Sequence, residues 1–311
     1  MIEILTSGAL NLVQDLGRHG FLHLGVSRSG AMDDEALRLG NALLGNPDNA
    51  AGVEICVFPF KVRFKTTTWF TCTGADSRLS LDGKPVPGWW RCQAQAGQTL
   101  MVERPIRGVR AYLCVGAGID VEPIMGSRST DLKAAFGGFA GRGLKRGDCL
   151  PVAQGAAFSS TESFGIAPFH RRNFWQELEA GQICVRALPA AEYGLFTAQA
   201  RDAFINMPFS ISAQSNRIGY RLTGESLALG SPVELRSHGI LPGTVQVPPA
   251  GQPIVQMAEA NTCGGYPKIA NVIEPDLWRL AQAPIGTPVR FILISQTQAL
   301  EALRLYSGVA V

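Results

Sequence analysis

Short apolar, β-branched and aromatic runs, each closed by glycine, proline or a similar turn residue, recur along most of this chain. That punctuation limits what it can fold into more than any other feature. In the first half the runs fall at 2–5, 53–57, 61–64, 69–73, 79–81, 99–102 and 111–114, with Asp82-Gly83 marking one turn and Lys84-Pro85 reinforcing it. In the second half they fall at 183–187, 209–212, 220–223, 244–247, 254–257 and 289–294. With 35 glycines and 19 prolines in 311 residues there are breakers enough to separate that many strands. The pattern predicts a mainly β fold of antiparallel sheets or barrels with a few short helices.

Four segments depart from the β pattern. Residues 33–44 read as a helix, with Asp33, Asp34 and Glu35 at its positive end, Ala36, Leu39 and Leu43 on one face and Gly45 as a stop. Residues 198–205 follow Thr197 as N-cap. Residues 276–282 stack Leu277, Leu280 and Ala281 before Pro284, and a closing helix carrying Leu300, Leu303 and Leu305 starts from a capping box at Ser295 to Gln298. A chain of this length, 46% hydrophobic and only 17% charged, is long enough for two cores. The serine-, alanine- and glycine-rich stretch 153–167 lacks periodicity, and 173–178 offers one or two amphipathic turns at most, so the expected division is 1–165 and 183–311.

Charge and cysteine usage narrow the function classes. A net charge of +3 with scattered Lys and Arg gives no nucleic-acid footprint, and no run approaches a membrane span. Glu3 and Asp15 lie where a signal peptide would be basic and then apolar. The 7 cysteines are widely spaced with no CxxC pair, which points to a reducing cytoplasm. His19 and His23 are four apart, but Gly20 and Gly25 argue against the helix that zinc ligation would need, so no metal is expected.

The richest chemistry lies in residues 235–272. A strand, a Pro248-Pro249-Ala250-Gly251 turn and a second strand lead into Glu259, Asn261, Thr262 and Cys263, followed at once by Gly264-Gly265-Tyr266-Pro267. Polar groups there stand directly before backbone that can approach a ligand closely, although ordinary turns use the same residues. Two other segments have anion-binding composition. Around Asp15-Leu16-Gly17-Arg18 the arginine can hold an anion or pair with Asp15, and Gly126-Ser127-Arg128-Ser129-Thr130 combines glycine-flanked hydroxyls with a guanidinium. The tract 136–143 reads as a mobile loop, a lid or a surface turn, and Trp89-Trp90 as a strand pair with one ring inside and one at a contact between subunits. No GxxxxGK[ST] string is present.

Six strings in order carry a family resemblance: VQDLGR at 13–18, GAMD at 30–33, GSRST at 126–130, RIGYRL at 217–222, GTVQVPPAGQPI at 243–254 and GGYPKIANVI at 264–273. Together they resemble the biotin-dependent carboxyltransferase family typified by the C-type component of bacterial 5-oxoprolinase, the KipI antagonist. The resemblance implies two β-rich barrel-like halves of cyclophilin-like character that form half of a carboxyltransferase module. It implies two partners, a KipI-like B-type subunit with a lactam-opening A-type one, and ATP used together with them to open 5-oxoproline to glutamate. Its alternatives are a urea-carboxylase-like carboxyltransferase, with biotin on a separate protein because no Met-Lys-Met string occurs here, and a non-catalytic regulator of a KipI-like kinase inhibitor.

The expected site takes a small carboxylate or amide. Glu259 is the titratable group, Arg128 and Arg217 the guanidinium donors, and Arg18, Ser127, Tyr220, Gln246, Thr262, Gly264, Gly265 and Tyr266 the substrate-binding residues. The chain departs from the family pattern in having Glu259 and Asn216 where Asp is usual, Cys263 where a hydroxyl residue is usual, and Asp131 where Tyr is usual.

Overall fold

The computed structural model describes residues 1–154 and 162–307, so part of the expected 153–167 link lies outside the described residues. The chain divides into two compact units, Met1–His19 with Ser29–Pro168 and Gly20–Arg28 with Phe169–Val311. The expected linear division differs from this in two ways. Gly20–Arg28 joins the second unit, where Arg28 Nη1 stands 3.8 Å from Glu274 Oε1. The segment read as one or two turns is a nine-residue helix of the second unit, held by packing that local sequence does not announce: Phe174 meets Trp278 edge-on at 4.9 Å and the Arg171 guanidinium lies 4.2 Å from the same ring.

In the first unit the elements are β1 (Ile2–Thr6), β2 (Leu12–Gln14), α1 (Asp34–Leu43), β3 (Gly52–Ile55), β4 (Phe60–Phe64), β5 (Thr68–Asp76), β6 (Leu79–Leu81), β7 (Lys84–Val86), β8 (Cys92–Ala94), β9 (Thr99–Val102), β10 (Arg107–Val115) and β11 (Cys149–Leu150). They make a six-stranded sheet, β11-β1-β4-β9-β6-β7, and a five-stranded sheet, β2-β3-β10-β5-β8. Every pairing is antiparallel. Period-two alternation builds one core from both sheets: Ile2, Ile4, Val62, Phe64, Leu100 and Val102 pack with Val53, Ile55, Phe70, Ala111 and Leu113. Each large side chain buried there contributes roughly 1.5–3 kcal/mol.

Helix α1 covers the other face of the five-stranded sheet, where Ala36, Leu37 and Leu44 meet Tyr112 and Cys114. The Asp33 carboxylate caps it by accepting from the Ala36 amide at 3.0 Å. Gly40 lets the helix lie close, since a Cβ there would sit 2.7 Å from Cys114 Sγ. Trp89 lies in a turn and Trp90 in an isolated antiparallel bridge to Gly165, so neither is on a regular strand. Trp89 has φ +56° and packs on the α1 cluster, while the exposed Trp90 donates its indole N–H to Ser163 Oγ at 2.7 Å. The 136–143 tract is tightly packed: added Cβ atoms at Gly137, Gly138 and Gly141 would meet Arg18, Thr130 and Ala135 atoms at 2.2, 1.8 and 2.2 Å.

The second unit contains α2 (Arg171–Glu179), β12 (Ile183–Pro189), α3 (Ala198–Asn206), β13 (Phe209–Ile211), β14 (Gly219–Thr223), β15 (His238–Gly239), β16 (Thr244–Gln246), β17 (Ile254–Gln256), β18 (Cys263–Gly264), β19 (Lys268–Val272), α4 (Leu277–Gln282), β20 (Pro288–Leu293) and α5 (Gln296–Ser307). Seven strands close a barrel in the order β12-β19-β16-β17-β14-β13-β20, with β12 and β20 parallel. The barrel-like character expected of both halves is thus a closed barrel here and two sheets over one core in the first unit. The β16–β17 hairpin has the expected form, with the Gly251 amide donating to the Pro248 carbonyl at φ +76°. Thr197 caps α3, and Ser295 and Gln298 bond reciprocally ahead of α5. Outside the barrel, β15 and β18 pair as His238↔Gly264 and Gly239↔Cys263.

Candidate functional site

The glycine-flanked hydroxyls of the first unit are folded around a carboxylate of the chain itself. Asp15 accepts from Ser127 Oγ at 2.7 Å, from Ser129 Oγ, and from the backbone amides of Arg128 and Gly17, the last at 2.8 Å. Its own amide donates back to Ser129 Oγ at 3.0 Å. The arginines of both motifs turn elsewhere. The Arg128 guanidinium donates to the Val121 carbonyl and the Asp120 carboxylate, at 2.9 and 3.1 Å. Arg18 donates to the Ser129 carbonyl and stacks on Phe136 at 4.4 Å. Of the residues expected to meet substrate, Ser127 and the Arg128 amide therefore build this internal knot, with Arg18 bonded to it through the Ser129 carbonyl, because a buried carboxylate must gather donors or remain unpaired.

In the second unit the Glu259 carboxylate and the Arg217 guanidinium form a buried ion pair at 2.6 Å, and the Glu259 amide donates to the Arg217 carbonyl at 2.9 Å. Asn216, one residue earlier, accepts from the amides of Ile218 and Gly219 at 2.8 and 3.3 Å, an Asx turn that needs no negative charge. The sequence-expected proton group and one expected guanidinium donor are thus partners of each other, tying the turn before β14 to the turn after β17.

A different set of groups converges on Gly264. Gln246 at the end of β16 is 4% exposed, and a Cβ on Gly264 would sit 2.7 Å from its Nε2. Its Oε1 accepts from Gln256 Nε2 at 3.0 Å, while Gln246 Nε2 and Gln256 Oε1 are buried without a hydrogen-bond partner among the described residues. Lys268, 6% exposed, donates to the Gly264 and Tyr266 carbonyls at the long distances of 3.4 and 3.3 Å. Burial pushes its ammonium below the ordinary lysine value of 10.5, opposed by the charge of Glu192. Across the short β15–β18 pair, His238 Nε2 stands 3.3 Å from Glu192 Oε1, and its Nδ1 is 3.1 Å from the Arg236 carbonyl. Gln246 and Lys268 thus stand against one glycine, with the His238–Glu192 pair joined to it through the His238↔Gly264 pairing.

Of the residues expected from the sequence, Gln246, Gly264 and Tyr266 lie in this cluster. Thr262 is half-buried next to exposed Cys263, its carbonyl accepting from the Ile240 amide. Gly265 is where a Cβ would meet the Leu235 carbonyl at 2.9 Å, and Tyr220 is buried in β14 opposite Val255. Lys268, Gln256, His238 and Glu192 were missed. Only Lys268 left a signal, as a cation opening the otherwise strand-like run KIANV. Among the described residues no group of three or more His, Cys, Asp or Glu side chains could hold a metal ion, and no helix is long and apolar enough to cross a membrane.

Residues 24–293 match the family described as carboxyltransferase domain, subdomain A and B. The chain belongs to this family. Within it, the chain is 46% identical over 302 residues to the C-type subunit of 5-oxoprolinase from Escherichia coli (strain K12), spanning 97% of this chain and 94% of that protein. It is 41% identical over 304 residues to the corresponding 5-oxoprolinase protein of Haemophilus influenzae, spanning 98% and 94%. Among solved structures, the carboxyltransferase fold recurs in the Kluyveromyces lactis urea carboxylase with a TM-score of 0.89 at 25% identity, over 99% of this chain and 29% of that one.

Proposed function

We propose that this chain is the C-type subunit of a multi-subunit, ATP-hydrolysing 5-oxoprolinase that opens 5-oxoproline to glutamate. Its partners in this reading are two further subunits, one lactam-opening and of A type, the other KipI-like and of B type, and its location is the cytoplasm. The observation that carries the reading is 46% identity to a protein named as the C-type subunit of 5-oxoprolinase, across nearly the full length of both chains. The 126–130 segment does not fit a triphosphate cradle, since the Ser127 and Ser129 hydroxyls and the Arg128 amide are bonded to Asp15 and the Thr130 hydroxyl and amide to the Val13 carbonyl. ATP is therefore assigned to the partner subunits. The substrate-facing part of this chain is the Gly264 region of the second unit, with Arg217 and Glu259 as a positioning pair.

Co-expression with A- and B-type subunits tests the reading. The three chains should coelute and release glutamate from 5-oxoproline with ATP, omission of this chain should abolish turnover, and the chain alone should be inert. Activity independent of this chain, or separate elution, would refute the assignment. The likeness to a urea carboxylase favours one second reading, carboxyl transfer from biotin borne on another protein. That reading requires avidin-sensitive incorporation of labelled bicarbonate, which the first does not.

A further inference from the structure

The cluster at Gly264 is an incomplete binding arrangement. Pairing between β16 and β19 steps from Val245↔Ala270 to Gln246↔Lys268, skipping one residue of β19, and a bulge of this kind re-aims a side chain at a strand end. Here it sets the lysine opposite Gln246. Both side chains are more than nine-tenths buried, and both approach Gly264. Among the described residues the Lys268 ammonium is hydrogen-bonded to two backbone carbonyls alone, at 3.3 and 3.4 Å. Gln246 Nε2 has no acceptor among the described residues, and Glu192, whose charge acts on Lys268, sets Oε1 against His238 and leaves Oε2 buried without a hydrogen-bond partner there. A buried cation held only by long bonds to carbonyls and a buried N–H without an acceptor cost stability unless a ligand completes them.

We propose that Lys268 and Gln246 anchor the carboxylate of a small substrate beside Gly264, one oxygen accepting from the ammonium and the other from Gln246 Nε2–H. A carboxylate matches because both groups are donors and its charge compensates the ammonium, while Gly264 lets the backbone lie against Gln246 Nε2, where a Cβ would stand 2.7 Å away. The identity of that substrate as 5-oxoproline rests on the function proposed above, whereas the carboxylate chemistry rests on these residues. A carboxyl group delivered on a carrier offers the same chemistry from another source.

The test titrates the full-length chain with acetate, 5-oxoproline and the neutral lactam 2-pyrrolidinone, following chemical-shift changes and melting temperature in wild type, Lys268→Met, Lys268→Arg and Gln246→Leu. Acetate and 5-oxoproline should compete for one site in the wild type, 2-pyrrolidinone should not bind there, and Lys268→Met should weaken binding at least tenfold. Lys268→Arg should retain part of the affinity, and Lys268→Met should keep or raise the melting temperature, which a purely structural lysine would not do. Acetate bound with 5-oxoproline excluded supports the carboxylate site and assigns it to the carrier-borne group. Absence of acetate binding to the wild type, or unchanged binding by folded Lys268→Met, overturns the proposal. Turnover of the reconstituted complex separately tests the 5-oxoprolinase reading.

Discussion

The GSRST segment of the first unit and the Gly264 region of the second have similar anion-holding composition, and the fold uses them in opposite ways. Around Asp15 the donors enclose a carboxylate that belongs to the chain. Around Gly264, among the described residues, a buried lysine is hydrogen-bonded to carbonyls alone and a buried amide N–H has no acceptor. A set of donors closed on an internal acceptor stabilises the fold, whereas donors left open at a burial cost are a feature a ligand can exploit.

Breaking a completed pair should cost most. Glu259→Ala leaves the Arg217 guanidinium buried without its carboxylate and should destabilise the chain by about 3–5 kcal/mol in urea titration. A loss under about 1 kcal/mol would remove this pair from the structural side of the comparison. Asp15→Asn should follow closely at about 3 kcal/mol, since the new NH2 cannot accept from the hydroxyls and amides that the carboxylate served.

Removing an open donor should do the reverse. Lys268→Met replaces a buried cation with an apolar side chain of similar shape, so stability at neutral pH should be unchanged or higher. The pH dependence has a definite sign. With the folded-state value below 10.5, the unfolded chain binds more protons in the interval up to 10.5, so raising pH through it stabilises wild type. The gap between Lys268→Met and wild type should therefore narrow toward alkaline pH, with Glu192 and His238 as the neighbouring titratable groups. A gap that widens would show the lysine to be well paired.

The smallest effect belongs to a carboxylate clasp near solvent. Arg142 holds Asp148 through bonds of 2.8 and 2.9 Å, with a third of the arginine side chain exposed, so Arg142→Ala should cost about 1 kcal/mol or less and fade in high salt. Hydrogen bonding to Arg142 holds the Asp148 carboxyl below its ordinary value of 3.8. The contribution is present above that value and lost as pH falls through the lower folded one. Melting curves at neutral and acidic pH check it.

Much of the second unit was legible because its signals are local. Thr197, the Ser295–Gln298 box, the Pro248–Gly251 turn and the alternating runs each act within a few residues, and each element forms where they point. The turn at Trp89 and the full length of α2 were not legible, because Trp89 adopts positive φ under contacts with α1 and α2 is extended by Trp278, roughly a hundred residues later in the chain. The site followed the same division. Gly264 and Tyr266 could be named from strand-end chemistry and Gln246 from the family resemblance, but His238 comes beside Gly264 only through strand pairing, Glu192 through its contact with His238 and Gln256 through its bond to Gln246.

By itself the sequence determined that the chain is mainly β, where most strands and caps fall, and which family it resembles, since turn chemistry, period-two burial and ordered motifs are properties of neighbouring residues. The tertiary structure alone decided which anion-holding motif is complete and which is open. Whether a donor meets an acceptor depends on residues far apart in the chain: Asp15 is more than a hundred positions from Ser127, and Lys268 reaches Gln246 through a bulged pairing that no local pattern specifies.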